Sequence, residues 1–342
     1  MNLLVTGGCG FIGSNLVRHV LQHRPGWKVV ALDKLTYAGN LENLAGLESN
    51  RDFAFVRGDI GNRELVDLLL EAHQIDAVLH LAAETHVDRS ILGPQVFTET
   101  NVLGTQVLLE AARAARLRRF VMVSTDEVYG SLGPTGAFTE TSPLQPSSPY
   151  AASKAAADLL ALAYARTYGL DVVVTRCSNN FGPFQFPEKL IPLMIANALE
   201  DAPLPVYGDG GNVRDWLHVD DHCAGLLLAL EKGTGGEIYN LGGASERTNL
   251  QVVRALLTHL KKPESLVRFV EDRPGHDRRY VMDFSKAARS LGFAPARPFE
   301  QGLEATVRWY VEHRAWWERV RTGAYRSYYE EQYRARLTQG AA

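Results

Sequence analysis

A chain of 342 residues, 46% hydrophobic and 22% charged, has the balance of an ordinary folded protein and the length of about two domains or one large α/β unit. The formal net charge of -3 leaves no surplus of cations for a polyphosphate backbone, which argues against nucleic acid as a partner. Cys9, Cys177 and Cys223 lie far apart without metal-ligand spacing and read as reduced thiols, the first residues form no signal peptide, and no apolar run approaches the ~20 residues of a bilayer span; a cytoplasmic, metal-free protein is expected.

Residues 3–6 read as a short buried strand, followed by the turn Gly7-Gly8-Cys9-Gly10-Phe11-Ile12-Gly13 and a helical pattern of Leu16, Val17, Val20 and Leu21. Glycines at 7, 10 and 13 let the turn tighten and let backbone N–H groups approach a pyrophosphate at the positive end of the helix. Such a triplet means little without a second strand and an acid downstream. Lys28-Val29-Val30-Ala31-Leu32-Asp33 supplies both, and Asp33 stands where a carboxylate accepts hydrogen bonds from an adenosine ribose and repels a ribose phosphate. NAD is therefore favoured over NADP, although Lys34 keeps the latter from being excluded. Two further strand-and-loop units follow, Phe53 to Val56 leading to Gly58-Asp59-Ile60, and Ala77 to Leu81 leading to Ala82-Ala83-Glu84-Thr85-His86.

Residues 94–115 read as one long helix with Val102, Leu103, Val107, Leu108 and Ala111 on a single face. Next comes the apolar run from Val121, ending in Ser124-Thr125-Asp126-Glu127; in an open parallel sheet these side chains project into the cleft beyond the strand ends. Asp126 and Glu127 are candidate acid and base, against the alternative that they only cap a turn. After a polar loop, Tyr150 and Lys154 fall four apart at the start of an Ala-rich helix, on one face, so the ammonium can stabilise a phenolate. A tyrosine pKa of about 10 must drop ~3 units, or ~4 kcal/mol, to work near neutrality, which calls for the oxidised nicotinamide ring as well. Val172 to Thr175 reads as a last strand leading to Asn179-Asn180. Beyond it the strand–helix alternation loosens. Lys189, Arg214 and Arg278 are candidates for binding a diphosphate, with surface ion pairing as the alternative. Trp309, Tyr310, Trp316, Trp317, Tyr325, Tyr328 and Tyr329 read as an aromatic helix and tail for core or interface packing.

The glycine turn, Thr125 and the Tyr150-x-x-x-Lys154 pair resemble the extended short-chain dehydrogenase/reductase superfamily. Within it, Asp33 to Asn40, Ala82 to Ser90, Thr125 to Gly130, Asn179 to Pro183, Phe186 to Pro192 and Asp272 to His276 resemble the dTDP-glucose 4,6-dehydratase family. The resemblance implies a Rossmann-type doubly wound α/β fold, with an NAD-binding domain over 1–180 and a smaller C-terminal α/β lobe over 181–342, mainly for the nucleotide sugar, with some chain crossing between them. It implies that Tyr150 and Thr125 assist oxidation at C4 by a tightly bound NAD that is regenerated each turnover. Glu127 would then take the C5 proton while Asp126 protonates the departing C6 hydroxyl, and the stored hydride would return to C6.

By the same resemblance, the cofactor would meet Gly7, Gly10, Phe11, Ile12, Gly13, Asp33, Lys34, Leu35 and Thr36, then Asp59, Ile60, Leu81, Ala82, Ala83, Thr85, Thr100, Ser124, Tyr150, Lys154 and Asn180. The nucleotide sugar would meet Thr85, Thr125, Asp126, Glu127, Asn179, Glu188, Lys189 and Leu190, then Pro205, Tyr207, Arg214, Asn249, Arg273 and His276. A homodimer built on helices 94–115 and 150–168 is expected. Phe181 and Phe184 stand where the family commonly has Tyr, a change expected to bear on cleft polarity. The rivals are a UDP-glucose 4,6-dehydratase, a 4-epimerase or decarboxylase, which needs no adjacent acid–base pair, and a non-catalytic dinucleotide sensor, which needs no intact catalytic set.

Overall fold

The computed structural model describes residues 1–321; Tyr325, Tyr328 and Tyr329 lie outside the described residues. Six strands follow in chain order: β1 (Asn2–Thr6), β2 (Lys28–Asp33), β3 (Phe53–Arg57), β4 (Ala77–His80), β5 (Arg119–Thr125) and β6 (Val172–Cys177). Then come β7 (Asn179–Phe181), β8 (Leu204–Tyr207), β9 (Val213–His218), β10 (Ile238–Leu241), β11 (Glu246–Thr248) and β12 (Val267–Val270). The main sheet has the order β10-β6-β5-β4-β1-β2-β3, parallel throughout.

Continuous apolar runs make the inner strands because both faces are covered. Leu3 and Val5 enter the core on one side and Leu4 the other; Val121 and Val123 are likewise opposed to Phe120 and Met122. Helices Phe11–His23 and Val219–Lys232 pack on one face, and Arg63–Ala72, Thr105–Ala114 and Pro149–Tyr168 on the other. This is the doubly wound arrangement, and the strand order reverses between β1 and β4, where such sheets open a crevice at their carboxyl ends. The strand β10 and the helix Val219–Lys232 come from beyond residue 180, so the chain returns to complete the first sheet.

The smaller lobe holds the mixed sheet β11-β9-β7 and the parallel pair β12-β8. Its core gathers Ile195, Val206, Trp216, Leu256 and Phe299 with Tyr310, Trp316 and Trp317, so the described C-terminal aromatics are packing residues. Phe181 is buried among Trp216, His218 and Phe299, and Phe184 packs on Trp309 and Trp316. Neither borders the cleft described below, so the expected effect on its polarity is not realised.

The long helix is also not uniform. Gln95–Phe97 runs into a π-helical stretch, Thr98–Gly104, before Thr105–Ala114. The wider turn shifts the phase of the face, so Leu103 is exposed while Thr100, Asn101 and Thr105 turn inward. Asn101 holds the wide turn in place: its Oδ1 accepts from Glu84 N at 2.8 Å, and its Nδ2 donates to Glu84 O at 3.0 Å and Ser153 Oγ at 2.9 Å.

Candidate active site

One cleft crosses the carboxyl ends of β1, β2, β4, β5 and β6 and reaches the smaller lobe. Its floor is the glycine turn. A Cβ on Gly7, where φ is +69°, would lie 2.8 Å from Ala82 N, and one on Gly13 would lie 2.0 Å from Gly7 O. Both positions therefore accept only glycine. The helix Phe11–His23 has no side-chain cap and no acid in its first turn, so its N–H groups at Phe11 and Ile12 face a cleft that both residues line. Asp33 ends β2 with Oδ2 accepting from Cys9 N at 3.0 Å and Oδ1 from Leu35 N at 2.8 Å. Lys34 is engaged elsewhere, donating to Thr100 Oγ1 at 3.2 Å and pairing with Asp59 at 3.4 Å. These donors, the uncapped helix and the Asp33 carboxylate at the end of β2 fit a dinucleotide without a ribose phosphate.

Gly10, Thr36, Ile60, Leu81, Ala82, Ala83, Thr85, Ser124 and Asn180 also line the cleft, whereas Leu35 and the exposed Asp59 do not. Asp59 accepts from Gly61 N at 2.8 Å.

Strand β5 delivers Thr125, Asp126 and Glu127 to the cleft, and the helix Pro149–Tyr168 delivers Tyr150 and Lys154. That helix starts where Ser148 Oγ accepts from Ala151 N at 3.1 Å with Pro149 in its first turn. Thr125 Oγ1 donates to Asp126 Oδ1 at 3.2 Å and accepts from Glu127 N at 3.3 Å, so the hydroxyl performs the turn-capping role and leaves both acids to the cleft. Lys154 Nζ donates to Val123 O at 2.8 Å.

The two acids differ electrically. Burial, and then the charge of Glu127, push Asp126 well above the usual carboxylate range. Burial also raises Glu127, but Arg273, Lys189 and Arg214 pull it back. Burial raises the Tyr150 phenol, as do Glu127 and Cys177, while the Thr125 hydroxyl opposes them.

The residues 4–306 match the family model for GDP-mannose 4,6 dehydratase. A dTDP-glucose 4,6-dehydratase of Xanthomonas campestris pv. campestris is 55% identical over 341 residues, spanning 94% of this chain and 97% of that protein. One of Streptomyces niveus is 54% identical over 94% of this chain and 96% of its own length. The chain belongs to the dTDP-glucose 4,6-dehydratase family. Among solved structures, DesIV of Streptomyces venezuelae, a dTDP-glucose 4,6-dehydratase with NAD bound, superposes with a TM-score of 0.91 at 55% identity, covering 94% of this chain and 100% of that one. The UDP-glucose 4-epimerase of Thermotoga maritima shares the fold at a TM-score of 0.85 and 32% identity, covering 91% of this chain and 99% of its own.

For a member of this family, the remaining residues fall into two groups. Asn179, Glu188 and Lys189 line the cleft itself, and Asn179 Oδ1 is buried without a hydrogen-bond partner. Lys189 Nζ donates to Thr85 O at 2.8 Å. Tyr207, Arg273 and His276 form a second cluster: Arg273 Nη1 and Tyr207 OH both donate to Asp88, at 2.9 and 3.0 Å, and the Tyr207 ring meets His276 edge-on. Burial, then Arg273 and Arg214, lower His276 to about 4. Arg214 Nη2 donates to Asp277 O at 2.9 Å, beside Asn212, whose carbonyl accepts from Asn249 N at 3.0 Å. Pro205 pairs in register with Arg268, and Leu190 opens the helix Leu190–Leu199; neither borders the cleft. Arg278 is exposed and held by Asp209 through two contacts of 2.7 and 3.0 Å, so surface pairing accounts for it.

Sequence reasoning passed over Glu84, Gln185 and Phe186, all on the cleft wall. Glu84 follows Ala82 and Ala83 in the loop beyond β4; burial raises its carboxyl and Lys34 and Arg89 oppose the rise. Cys177, read as a packed thiol, is buried and reaches the same wall, donating to Ser124 O at 3.4 Å.

Proposed function

We propose that this chain catalyses the 4,6-dehydration of dTDP-glucose with NAD as a resident cofactor, giving dTDP-4-keto-6-deoxy-glucose. The observation that carries this is the pair Asp126 and Glu127, adjacent and unequally biased, in the same cleft as Tyr150, Thr125 and the glycine turn. Bound NAD supplies the oxidant at C4 and the reductant at C6. Tyr150 takes the C4 hydroxyl proton, with Thr125 orienting that hydroxyl. The resulting ketone acidifies C5–H, which lets Glu127 remove the proton there. Asp126, held protonated, donates to the leaving C6 oxygen. Glu127 then returns a proton to C5. An epimerase expels no hydroxyl and needs no such acid, which ranks it behind.

The cofactor-binding roles are assigned to the glycine-turn wall, Asp33, Lys34, Thr100, Ser124 and Asn180, within a dinucleotide domain over 1–180. Asn179, Glu188, Lys189, Arg214, Asn249, Arg273 and His276 serve the nucleotide sugar, mainly within 181–342. Hydrogen exchange separates them: NAD alone should protect the first set and thymidine diphosphate the second, and reversed protection would refute the division. Exposed Ile91, Leu92, Val96, Leu103 and Leu159 on adjoining helices support a homodimer, which a monomer mass by light scattering would rule out. The buried free thiols suit a cytoplasmic protein, and no described helix is long and apolar enough to cross a membrane. Fewer than three thiols on titration of the denatured native protein would count against that compartment.

The deciding experiment incubates the protein with dTDP-glucose, UDP-glucose, UDP-galactose and UDP-glucuronate without added reductant and weighs the products. Loss of one water from dTDP-glucose is expected. An unchanged mass with an inverted C4 centre would mean an epimerase.

A further inference from the structure

Behind Lys154 lies a charged network that the reaction as assigned does not use. Asp158 is one helical turn beyond Lys154 on the same helix and is fully buried. Its Oδ2 accepts from Arg176 Nε at 2.9 Å, while its Oδ1 makes no hydrogen bond. Arg176 is itself 2% exposed and sits on β6 directly opposite Ser124 of β5. Its Nη1 donates to Tyr129 OH at 2.9 Å, and Tyr129 OH donates onward to Asn240 Oδ1 at 2.8 Å. Asn240, on the returning strand β10, is pinned by donating to Phe138 O at 3.1 Å and Asp283 O at 3.2 Å.

Buried ion pairs are poor stabilisers, because desolvation consumes most of the attraction and an apolar pair of similar volume does as well or better. A pair this deeply buried beside Lys154 therefore calls for a reason other than stability. Three groups bear on the Lys154 ammonium: Asp158 from its own helix, Cys177 from β6 and His80 from β4. His80 is neutral, lowered to about 3 by burial and then by Lys154, with its ring nitrogens at 2.7 Å from Thr6 Oγ1 and 2.9 Å from Thr105 Oγ1. Burial drives the Cys177 thiol up, so it carries no charge either. That leaves Asp158, one turn along the same helix, as the carboxyl whose charge opposes a burial that favours the neutral amine.

Resting on the reading that Lys154 serves Tyr150, we propose that Asp158, fixed by Arg176 and the Tyr129–Asn240 chain, is a positioning residue that keeps Lys154 an ammonium. The spacing Tyr150, Lys154, Asp158 puts base, cation and counter-charge on one helical face; burial raises the Asp158 carboxyl, and Arg176, then Lys154, oppose that rise.

The test uses the NAD-loaded enzyme with 13Cε-labelled lysine, Lys154 being assigned with Lys154→Arg. Asp158→Asn should lower the Lys154 titration midpoint by about 1 unit or more, the size of effect a nearby opposite charge has. The alkaline limb of single-turnover C4 oxidation should move down with it, with KM unchanged, and Asp158→Glu should restore both. The double variant Asp158→Asn/Arg176→Gln leaves no lone buried charge, so it covers the case in which the single variant fails to fold; its Lys154 midpoint should also lie below the parent's. A Lys154 that titrates as in the parent in either folded variant overturns the proposal. Tyr150→Phe run alongside tests the underlying reading: if it oxidises C4 at the parental rate, that reading fails, independently of where Lys154 titrates.

Discussion

Changing Glu127 to Gln keeps the shape of the side chain and removes its charge, and the structure gives that loss three separable effects. A positioned general base contributes about 10²–10⁴ in rate, so elimination should slow by that factor, or about 3–5 kcal/mol of barrier. Oxidation at C4 should not slow. Glu127 is the strongest charge opposing ionisation of Tyr150, after burial itself, so its removal favours the phenolate and moves the acid limb of the first step to lower pH. Binding should tighten as well, because Arg273, Lys189 and Arg214 lose a competing anion when the substrate diphosphate arrives. Rapid mixing with dTDP-glucose, watched through reduced-nicotinamide absorbance and closed by product mass, resolves all three. Reduced cofactor should build up and decay slowly. Decay at the parental rate would show that Glu127 is not the C5 base, and a first step slowed in parallel would refute the electrostatic account of Tyr150.

Tyr150→Phe should fail earlier, with little reduced nicotinamide formed on mixing; a full burst would remove Tyr150 from its role. Asp126 has a folded-state pKa raised above its unfolded value, so the native protein holds the extra proton and stability falls as pH rises through that folded pKa. Asp126→Asn should therefore slow elimination yet melt no lower than the parent above neutrality, which calorimetry checks; a lower Tm there would contradict the raised pKa. Arg273→Ala removes a guanidinium 2.9 Å from the buried Asp88 carboxylate and should destabilise the fold with a large rise in KM, whereas Arg278→Ala removes an exposed pair and should leave both stability and KM nearly unchanged. Equal KM changes in the two would erase the distinction between them.

Strands β1, β2, β4, β5 and β6 were readable because each carries an apolar run buried on both faces, and the half-buried edge strand β3 because Phe53 to Val56 is still an unbroken apolar run. Strand β10, Ile238-Tyr239-Asn240-Leu241, escaped that rule because an asparagine interrupts it, and the asparagine is tolerated only since Tyr129 and two distant carbonyls satisfy its amide. The π turn at Thr98–Gly104 escaped it too: the periodicity that placed Leu103 inward assumes an unbroken helical phase, which Asn101 breaks by bonding Glu84 and Ser153. In the cleft, the positions at strand ends were readable from the strands themselves. The tie from Arg273 to Asp88 was not, because 185 residues separate them and neither lies on a periodic pattern.

The difference between Asp126 and Glu127 depends most on such distant ties, and it yields a consequence for the bound state. Lys189, Arg214 and Arg273 reach Glu127 from the start of a helix, from β9 and from the segment after β12, all in the smaller lobe, and they hold its carboxyl down against burial. Lys189 and Arg214 are also cations offered to a diphosphate. When an anion occupies them, their pull on Glu127 weakens, its pKa rises, and it becomes the stronger base only once the substrate is seated. Enzyme labelled with 13Cδ-glutamate, with Glu127→Gln for assignment, should show the Glu127 midpoint moving up when thymidine diphosphate binds. A midpoint that stays or falls would mean that the cations serving the diphosphate and those tuning the base are different groups.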